Sequence, residues 1–392
     1  MTPRQRVDSA IQQQEPDRVP TDFLATPEIW DRLVESLQPD TGHIRPSEFI
    51  NLAQEALLRH FEIDCRVLSY DMFCAPPEWV VADGAAVDWW GTLNRSTPNR
   101  MWRRRNPDGT LNDIWGTHTQ RVENQSGAYE EFVTWPLGDA STVEDLRRHA
   151  WPEPDWWDFS PLPDILRWLD EYDEYHIRFR IGSIFEIAWQ LRGMEQFLMD
   201  LALNPEIPLY IMDRLTEVAV ENTRRVLEIA GERIDMVYFY DDVATQNSLL
   251  ISKKMWERFV RPRHARLIEA ARAYEKPVMY HCDGAIAPLI PDLIELGIDV
   301  LNPIQPDAKG MDPRGLKERF GTRLTFHGGI DIIRTLPQGT PEEVATEVRE
   351  RVNVLGTGGG YILASSHHIQ SDTPLANVHA MYDPSLRYWS DG

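Results

Sequence analysis

Cysteine is scarce: Cys65, Cys74 and Cys282 are the only three in 392 residues. Three thiols cannot build a disulfide framework, and no Cys-x-x-Cys pair exists, which excludes a structural zinc knuckle. The low count fits a reducing compartment, so a cytoplasmic location is expected. Long apolar runs are missing too. No stretch approaches the roughly 18 consecutive apolar residues of a spanning helix, and the opening MTPRQRVDSAIQQQEPDRVP offers no secretory core. Positive charge is in deficit, with 40 Lys+Arg against 62 Asp+Glu and a net charge of −22. Such a chain repels phosphate backbones and anionic lipid, so neither nucleic acid nor a membrane is an expected partner. A nucleotide-binding G-x-G-x-x-G between strand and helix is also absent. The glycine run at 356–360 precedes a strand and suits a helix C-terminus and turn.

What is present is a regular alternation. From about residue 162, short strand patterns (176–181, 236–240, 277–280, 300–301, 324–326 and 361–364) alternate with amphipathic helical stretches. The helices are expected at 193–203, 207–230, 253–274, 285–296, 312–319 and 340–355. Earlier helices are expected at 2–14, 27–37 and 46–61, with a strand at 64–70. Repeated βα units imply a parallel sheet, and about eight of them in one chain favour a single α/β domain, a (β/α)8 TIM barrel over 1–392. Residues 75–160 break the pattern. They hold nine tryptophans, turn signals at Pro107-Asp108-Gly109 and 124–127, and β-prone runs at 117–122 and 130–135. They read as an antiparallel, Trp-rich β excursion near the barrel mouth. Its tryptophans either fill a small core or form a lid, with Trp89, Trp90 and Trp115 as the candidates to line a pocket.

In a barrel of this kind the chemistry sits at the C-terminal ends of the strands. Those ends are unusually polar here: Asp241-Asp242, His281-Cys282-Asp283-Gly284, His327 through Asp331, Ser365-Ser366-His367-His368, and Gly182 through Glu186. His281 and Asp283, two apart in an extended segment, point to one side and can converge on one ion, with His367 as a third ligand. Zinc suits such a set, and iron or manganese also accept two histidines and a carboxylate. The plainer reading is that His281 and Asp283 only orient each other. One of Asp241 and Asp242 is expected to face the pocket as base or ligand. Cys282, between the two ligands, faces away and packs. His264 reads as a helix-surface residue.

Beyond these patterns, several segments resemble the uroporphyrinogen decarboxylase superfamily: Pro16 through Pro20, His281 through Gly284 and its sequel to Phe320, Gly328 through Asp331, Gly358 through Leu363, and Thr373 through Asn377. The resemblance implies the same barrel. True uroporphyrinogen decarboxylases carry an R-Q-A-G-R segment after the first strand. Here the aligned stretch is Ala25 through Ile29, without either arginine, so the eight-carboxylate porphyrinogen loses its binders. Asp71 aligns with their catalytic aspartate, Trp189 with their active-site tyrosine and His367 with their C-terminal histidine. The other branch holds zinc methyltransferases that work with methyl-corrinoid proteins and thiols, with an H-x-C-G pattern and a late cysteine. Those ligand positions are His281, Asp283 and His367 in this chain. The resemblance therefore implies a metal-dependent methyltransferase or demethylase holding zinc or another divalent metal. Asp71, Asp241, Asp242 and His367 are its candidate catalytic residues. Glu186, Trp189 and His327 join the three tryptophans as candidate substrate contacts. No D-x-H-x-x-G motif occurs, so a corrinoid must arrive on a separate protein. The expected partners are a small-molecule substrate and that corrinoid protein, with a homodimer as the oligomeric option. Two alternatives stand beside this reading: a metal-independent decarboxylase of a small pyrrole or aromatic acid, and a non-catalytic barrel that binds a ligand or tetrapyrrole.

Overall fold

Seven parallel strands form the centre of the protein in a computed structural model that describes residues 1–47, 49–81, 85–87, 102–124 and 127–389. They are β1 (Cys65–Ser69), β7 (His176–Gly182), β8 (Met236–Tyr240), β9 (Val278–His281), β10 (Val300–Ile304), β11 (Thr325–Ile330) and β12 (Tyr361–Ser365). They are hydrogen-bonded in that order. From β7 onward every strand pairs with its successor in the chain, as right-handed βα crossovers produce. All residues of β10, β11 and β12 are buried. This is the pattern of a parallel sheet covered on both faces, and it is why these strands read as apolar runs without alternation.

The expected eighth strand takes an irregular form. Residues 20–25 run between the two sheet edges instead of forming a regular strand. Leu363 donates its amide to Pro20 (2.8 Å), Asp22 donates to Leu363 (2.9 Å), and Asp64, at the entrance to β1, donates to Thr21 (3.0 Å). Pro20 supplies only an acceptor, which limits the segment to isolated bridges.

The helices lie where apolar periodicity placed them, with departures that have local causes. The expected helix at 253–274 is two, Lys253–Phe259 and Arg261–Arg272, because Pro262 has no amide to continue the first. Thr340 opens Pro341–Arg351 with a capping box to Glu343. The long helix Glu206–Ala230 buries the stripe Ile207, Ile211, Leu215, Val218, Asn222, Val226 against the sheet.

Between β1 and β7 the chain forms a second sheet, antiparallel, of β2 (Ala85–Val87), β3 (Arg103–Arg105), β4 (Leu111–Asp113), β5 (His118–Asn124) and β6 (Gly127–Thr134). The β5–β6 hairpin lies close to the expected runs at 117–122 and 130–135. The tryptophans divide by position. Trp102, Trp115, Trp151, Trp156 and Trp157 belong to the main hydrophobic core, whereas Trp79 and Trp135 are exposed. Trp89 and Trp90 lie outside the described residues. No helix among the described residues is long and apolar enough to cross a membrane.

Candidate active site

The strand ends converge on one cluster. His281 ends β9 and Asp283 follows it, while His367 follows β12. His281 Nε2 lies 3.8 Å from Asp283 Oδ1, and His367 Nε2 lies 3.5 Å from Asp283 Oδ2. One ligand atom from each residue falls within 4.8 Å of the other two. Cys282 points the opposite way, as alternation requires, and its Sγ accepts from the Val243 amide at 3.4 Å. Gly284 holds the turn after the cluster at φ +85°, and a Cβ there would stand 2.4 Å from the Thr245 carbonyl oxygen. Only glycine lets the chain leave Asp283 in this direction.

A buried relay orients His281. Its Nδ1 donates to Asn302 Oδ1 (2.6 Å), the Asn302 amide donates to His327 Nδ1 (2.6 Å), and His327 Nε2 donates to Asp22 Oδ2 (2.8 Å). Asp22 closes the chain in an ion pair with Arg178. Burial pushes the Asp22 carboxyl up, but Arg178 and His327 outweigh it and hold it at about 2. Burial lowers the His327 pKa, against the pull of Asp22; the Asn302 amide at Nδ1 and the Asp22 carboxylate at Nε2 match a ring with its proton on Nε2. With Nδ1 of His281 committed as a donor, Nε2 keeps its lone pair for the cluster. This arrangement of outer-shell partners gives a metal-ligating histidine its tautomer and orientation. His327, expected to touch substrate, is fully buried beneath His281. Asn302, Asp22 and Arg178 were not singled out from sequence; no local pattern marks an asparagine in a strand as a histidine's partner.

The paired acids after β8 have opposite roles. Asp241, expected to be catalytic, is fully buried and points into the helix layer. Its carboxylate accepts from the Ile184 and Glu186 amides (3.0 and 2.9 Å), from the Ser183 hydroxyl, and from His264 Nε2 (2.7 Å). It satisfies the N-terminus of the helix Phe185–Arg192. His264 is correspondingly buried, not on the surface. Asp242 faces the cluster: its Oδ1 accepts from the Asp283 amide (2.8 Å) and lies 3.9 Å from His281 Nε2. Asp71 is held by the Ser69 hydroxyl and the Arg180 guanidinium, both at 2.8 Å.

Glu186 extends the acidic side of the site. Burial, then the neighbouring charges of Asp242, Asp241 and Asp283, push its carboxyl up to about 8. The native state therefore binds more protons than the unfolded chain between about pH 4.5 and 8, and stability falls through that window as pH rises. Glu186→Gln removes this titration. In metal-stripped protein the variant is expected to gain on wild type between about pH 5 and about pH 9, by about 1.4 kcal/mol or more. Urea denaturation at the two pH values measures it, and identical pH dependences for both proteins would refute it.

A cavity of about 370 Å³ adjoins the cluster. Its wall includes His367 and His368 from the end of β12, Gln190, and Arg103, Thr119 and Phe132 from the antiparallel sheet. The second sheet thus stands on the same side as the strand C-termini. Trp115, expected to line a pocket, is buried in the core instead. Trp189 supports the wall from behind, its ring edge-on to Phe132 at 6.1 Å. His368, next to His367 with ring centroids 4.9 Å apart, also belongs to the wall; burial and the neighbouring histidine lower its pKa well below the usual histidine range.

Comparison with known proteins follows this geometry. The methylated-thiol–coenzyme M methyltransferase of Methanosarcina mazei is 25% identical over 259 residues, which is 64% of this chain and 60% of that protein. The chain thus spans less than two thirds of that relative's length. A solved methyltransferase structure from the same organism superposes with a TM-score of 0.62 at 17% identity, covering 99% of this chain and 98% of that one. It shares the fold. The uroporphyrinogen decarboxylase (URO-D) family model matches residues 135–386, more than half of the sequence and all of the strand ends that build the cluster. The chain belongs to the URO-D family, and its relatives lie in the methyltransferase-like branch of that superfamily.

Proposed function

We propose that this protein is a metal-dependent methyltransferase or demethylase acting on a small substrate at the mouth of an eight-stave barrel, with the irregular segment 20–25 as the closing stave. The observation that carries the reading is the convergence of His281, Asp283 and His367. The residues fit a divalent ion on their own chemistry. Asp283 Oδ1 is buried without a hydrogen-bond partner, and such an orphan costs stability unless something meets it. His281 Nε2 carries a free lone pair beside it. Zinc is the first candidate for this N,O,N donor set.

A metal bound there supplies Lewis acidity, polarising the substrate's hetero-atom or lowering its pKa. The protein's own residues do the rest. The Asn302–His327–Asp22 relay keeps the His281 ring in one tautomer. Asp242 fixes the Asp283 backbone, and Glu186 stores a proton near neutral pH beside the cluster. The antiparallel sheet supplies one wall of the cavity. The Methanosarcina relative is named for methylated thiols and coenzyme M. Methyl transfer is what we carry over from it. A carboxylate and two imidazoles make a harder donor set than thiolates and favour an oxygen-bearing substrate. The methyl carrier, a corrinoid or pterin, would arrive on another chain.

Metal analysis of the purified protein tests the proposal. A metal-to-chain ratio near unity is expected, with methyl transfer from methylated substrates abolished by strong chelator and restored by zinc. A wild type that holds no metal, transfers no methyl group and decarboxylates a small pyrrole or aromatic acid in strong chelator would reject it in favour of metal-free decarboxylation.

A further inference from the structure

The parallel sheet is packed on both faces, yet five of its residues stay partly open: Val67 in β1, Arg180 in β7, Tyr238 and Tyr240 in β8, and His281 in β9. Strands β10, β11 and β12 have none. Alternation puts all five on the inner side, above a floor that Cys65, Met236, Met279 and Val300 form together. A residue inside a covered sheet keeps accessible surface only where space is left beside it. The open residues are neighbours: Arg180 is in register with Tyr238, and Tyr240 with His281. The hollow they border therefore runs from His281 across β8 to Arg180. Arg180 is fixed within it. Its Nε donates to Ser69 Oγ at 3.0 Å and its Nη2 to Asp71 Oδ2 at 2.8 Å, and its Cζ lies 5.7 Å from the Tyr240 ring centroid. Two nitrogens held this way stop the planar fork from turning. Nη1 bonds to no described residue, yet it is not one of the protein's buried orphan atoms. In a side chain 17% exposed, its two N–H groups meet the hollow.

We propose that Arg180 sets substrate specificity by donating from Nη1 to an uncharged oxygen at the far end of the substrate. Resting on the methyl-transfer reading above, this makes the substrate class a small, uncharged, methylated compound with an acceptor oxygen such as a ketone or amide carbonyl. Its methyl-bearing hetero-atom lies at the His281–Asp283–His367 end. Strands β7 and β9 are two spacings of about 4.8 Å apart, and both side chains reach inward, so one ring or a short chain separates the two ends. The rings of Tyr238 and Tyr240 flank that span. Charge decides the class. Asp71 already offsets the charge of Arg180, and Asp242 and Asp283 are acids at the other end. An anionic group beside Arg180 would find no free cation among the described residues that border the hollow. A neutral carbonyl needs none, and an N–H on a charged group is a strong donor for it.

Equilibrium binding of 4-methoxyacetophenone, 4-isopropylanisole and 4-methoxybenzoate to the full chain, metal-stripped and metal-loaded, tests the assignment. The three probes share ring and methoxy group. Their acetyl, isopropyl and carboxylate ends have nearly one shape and differ in acceptor and charge. Wild type is expected to bind the acetophenone roughly 10-fold or more tightly than either of the others, the effect of one hydrogen bond from a charged donor. Arg180→Met combined with Asp71→Asn removes both charges together, so neither is left buried alone, and should erase the preference over the isopropyl probe. The proposal is overturned if wild type binds none of the three, binds acetyl and isopropyl probes equally, or prefers the benzoate, or if the preference survives in the double variant. Failure of the double variant to fold leaves the three-probe comparison on wild type decisive. Absence of metal from wild type would sink the methyl-transfer reading while the preference stays measurable on stripped protein, so the two failures are distinct.

Discussion

Asp283→Asn is expected to leave the protein folded while bound metal and methyl-transfer activity fall together. Asparagine keeps nearly the same volume and one oxygen, so the turn held by Gly284 and the Asp283 amide bond to Asp242 survive. The lost charge is the only anionic ligand in the cluster. Removing an outer-shell partner from a metal site typically weakens binding by roughly 10- to 100-fold, and loss of a direct anionic ligand should reach the upper end of that range or exceed it. Competition with a chromophoric chelator measures the affinity, and circular dichroism monitors the fold. The parallel change Asp241→Asn should behave in the opposite sense, lowering stability through the helix it satisfies with little effect on metal. Unchanged metal affinity in Asp283→Asn would remove Asp283 from the ligand set.

Arg178→Met should cost about 3–5 kcal/mol of stability, the usual consequence of leaving a buried charge without its partner. Asp22, 3% exposed at its side chain, would face burial with only neutral donors, His327 and the Phe23 amide, to hold its charge. The effect should depend on pH in a defined direction. In wild type the Asp22 pKa is depressed, so its contribution is present above the ordinary carboxylate range and disappears as pH falls through about 2. In Arg178→Met that contribution is smaller, so the gap between the proteins should narrow toward acid. A second replacement, Asp22→Asn, should recover a large part of the loss at neutral pH. Denaturant midpoints of the two single variants and the double variant supply the test. Equal additivity of the two single effects would mean that the pair does not act as a unit.

The strands and most helices could be read from sequence because their apolar spacing is dictated by burial on both faces of a parallel sheet. The cluster was legible for a related reason: side chains two apart in an extended chain share a side, so His281 and Asp283 announce themselves as a pair. Neighbouring acids lack that advantage. Asp241 and Asp242 point opposite ways, and which one faces the mouth depends on the helix Phe185–Arg192 and on His264, residues far away in sequence. His327 looked like a substrate contact because it ends a strand motif, yet its ring lies one level below the cluster and joins Asn302 to Asp22. The inserted sheet was recognisable from its turns and aromatic density. What its tryptophans do was not, since Trp115 packs into a core whose extent no local window reveals.

The stave formed by residues 20–25 has a consequence for biosynthesis. Its partners are Leu363 and Ile369 on one side and Asp64 on the other, while Asp22 waits for His327, 305 residues downstream. A chain emerging from the ribosome can pair β1 with β7 early. It cannot seat its first stave, or bury Asp22, until β12 has cleared the exit tunnel. His367 emerges with that last strand. The His281–Asp283–His367 cluster is therefore assembled only once β12 is available, in the same event that seats residues 20–25, and a nascent chain stalled before β12 would display an open sheet edge to any other strand nearby.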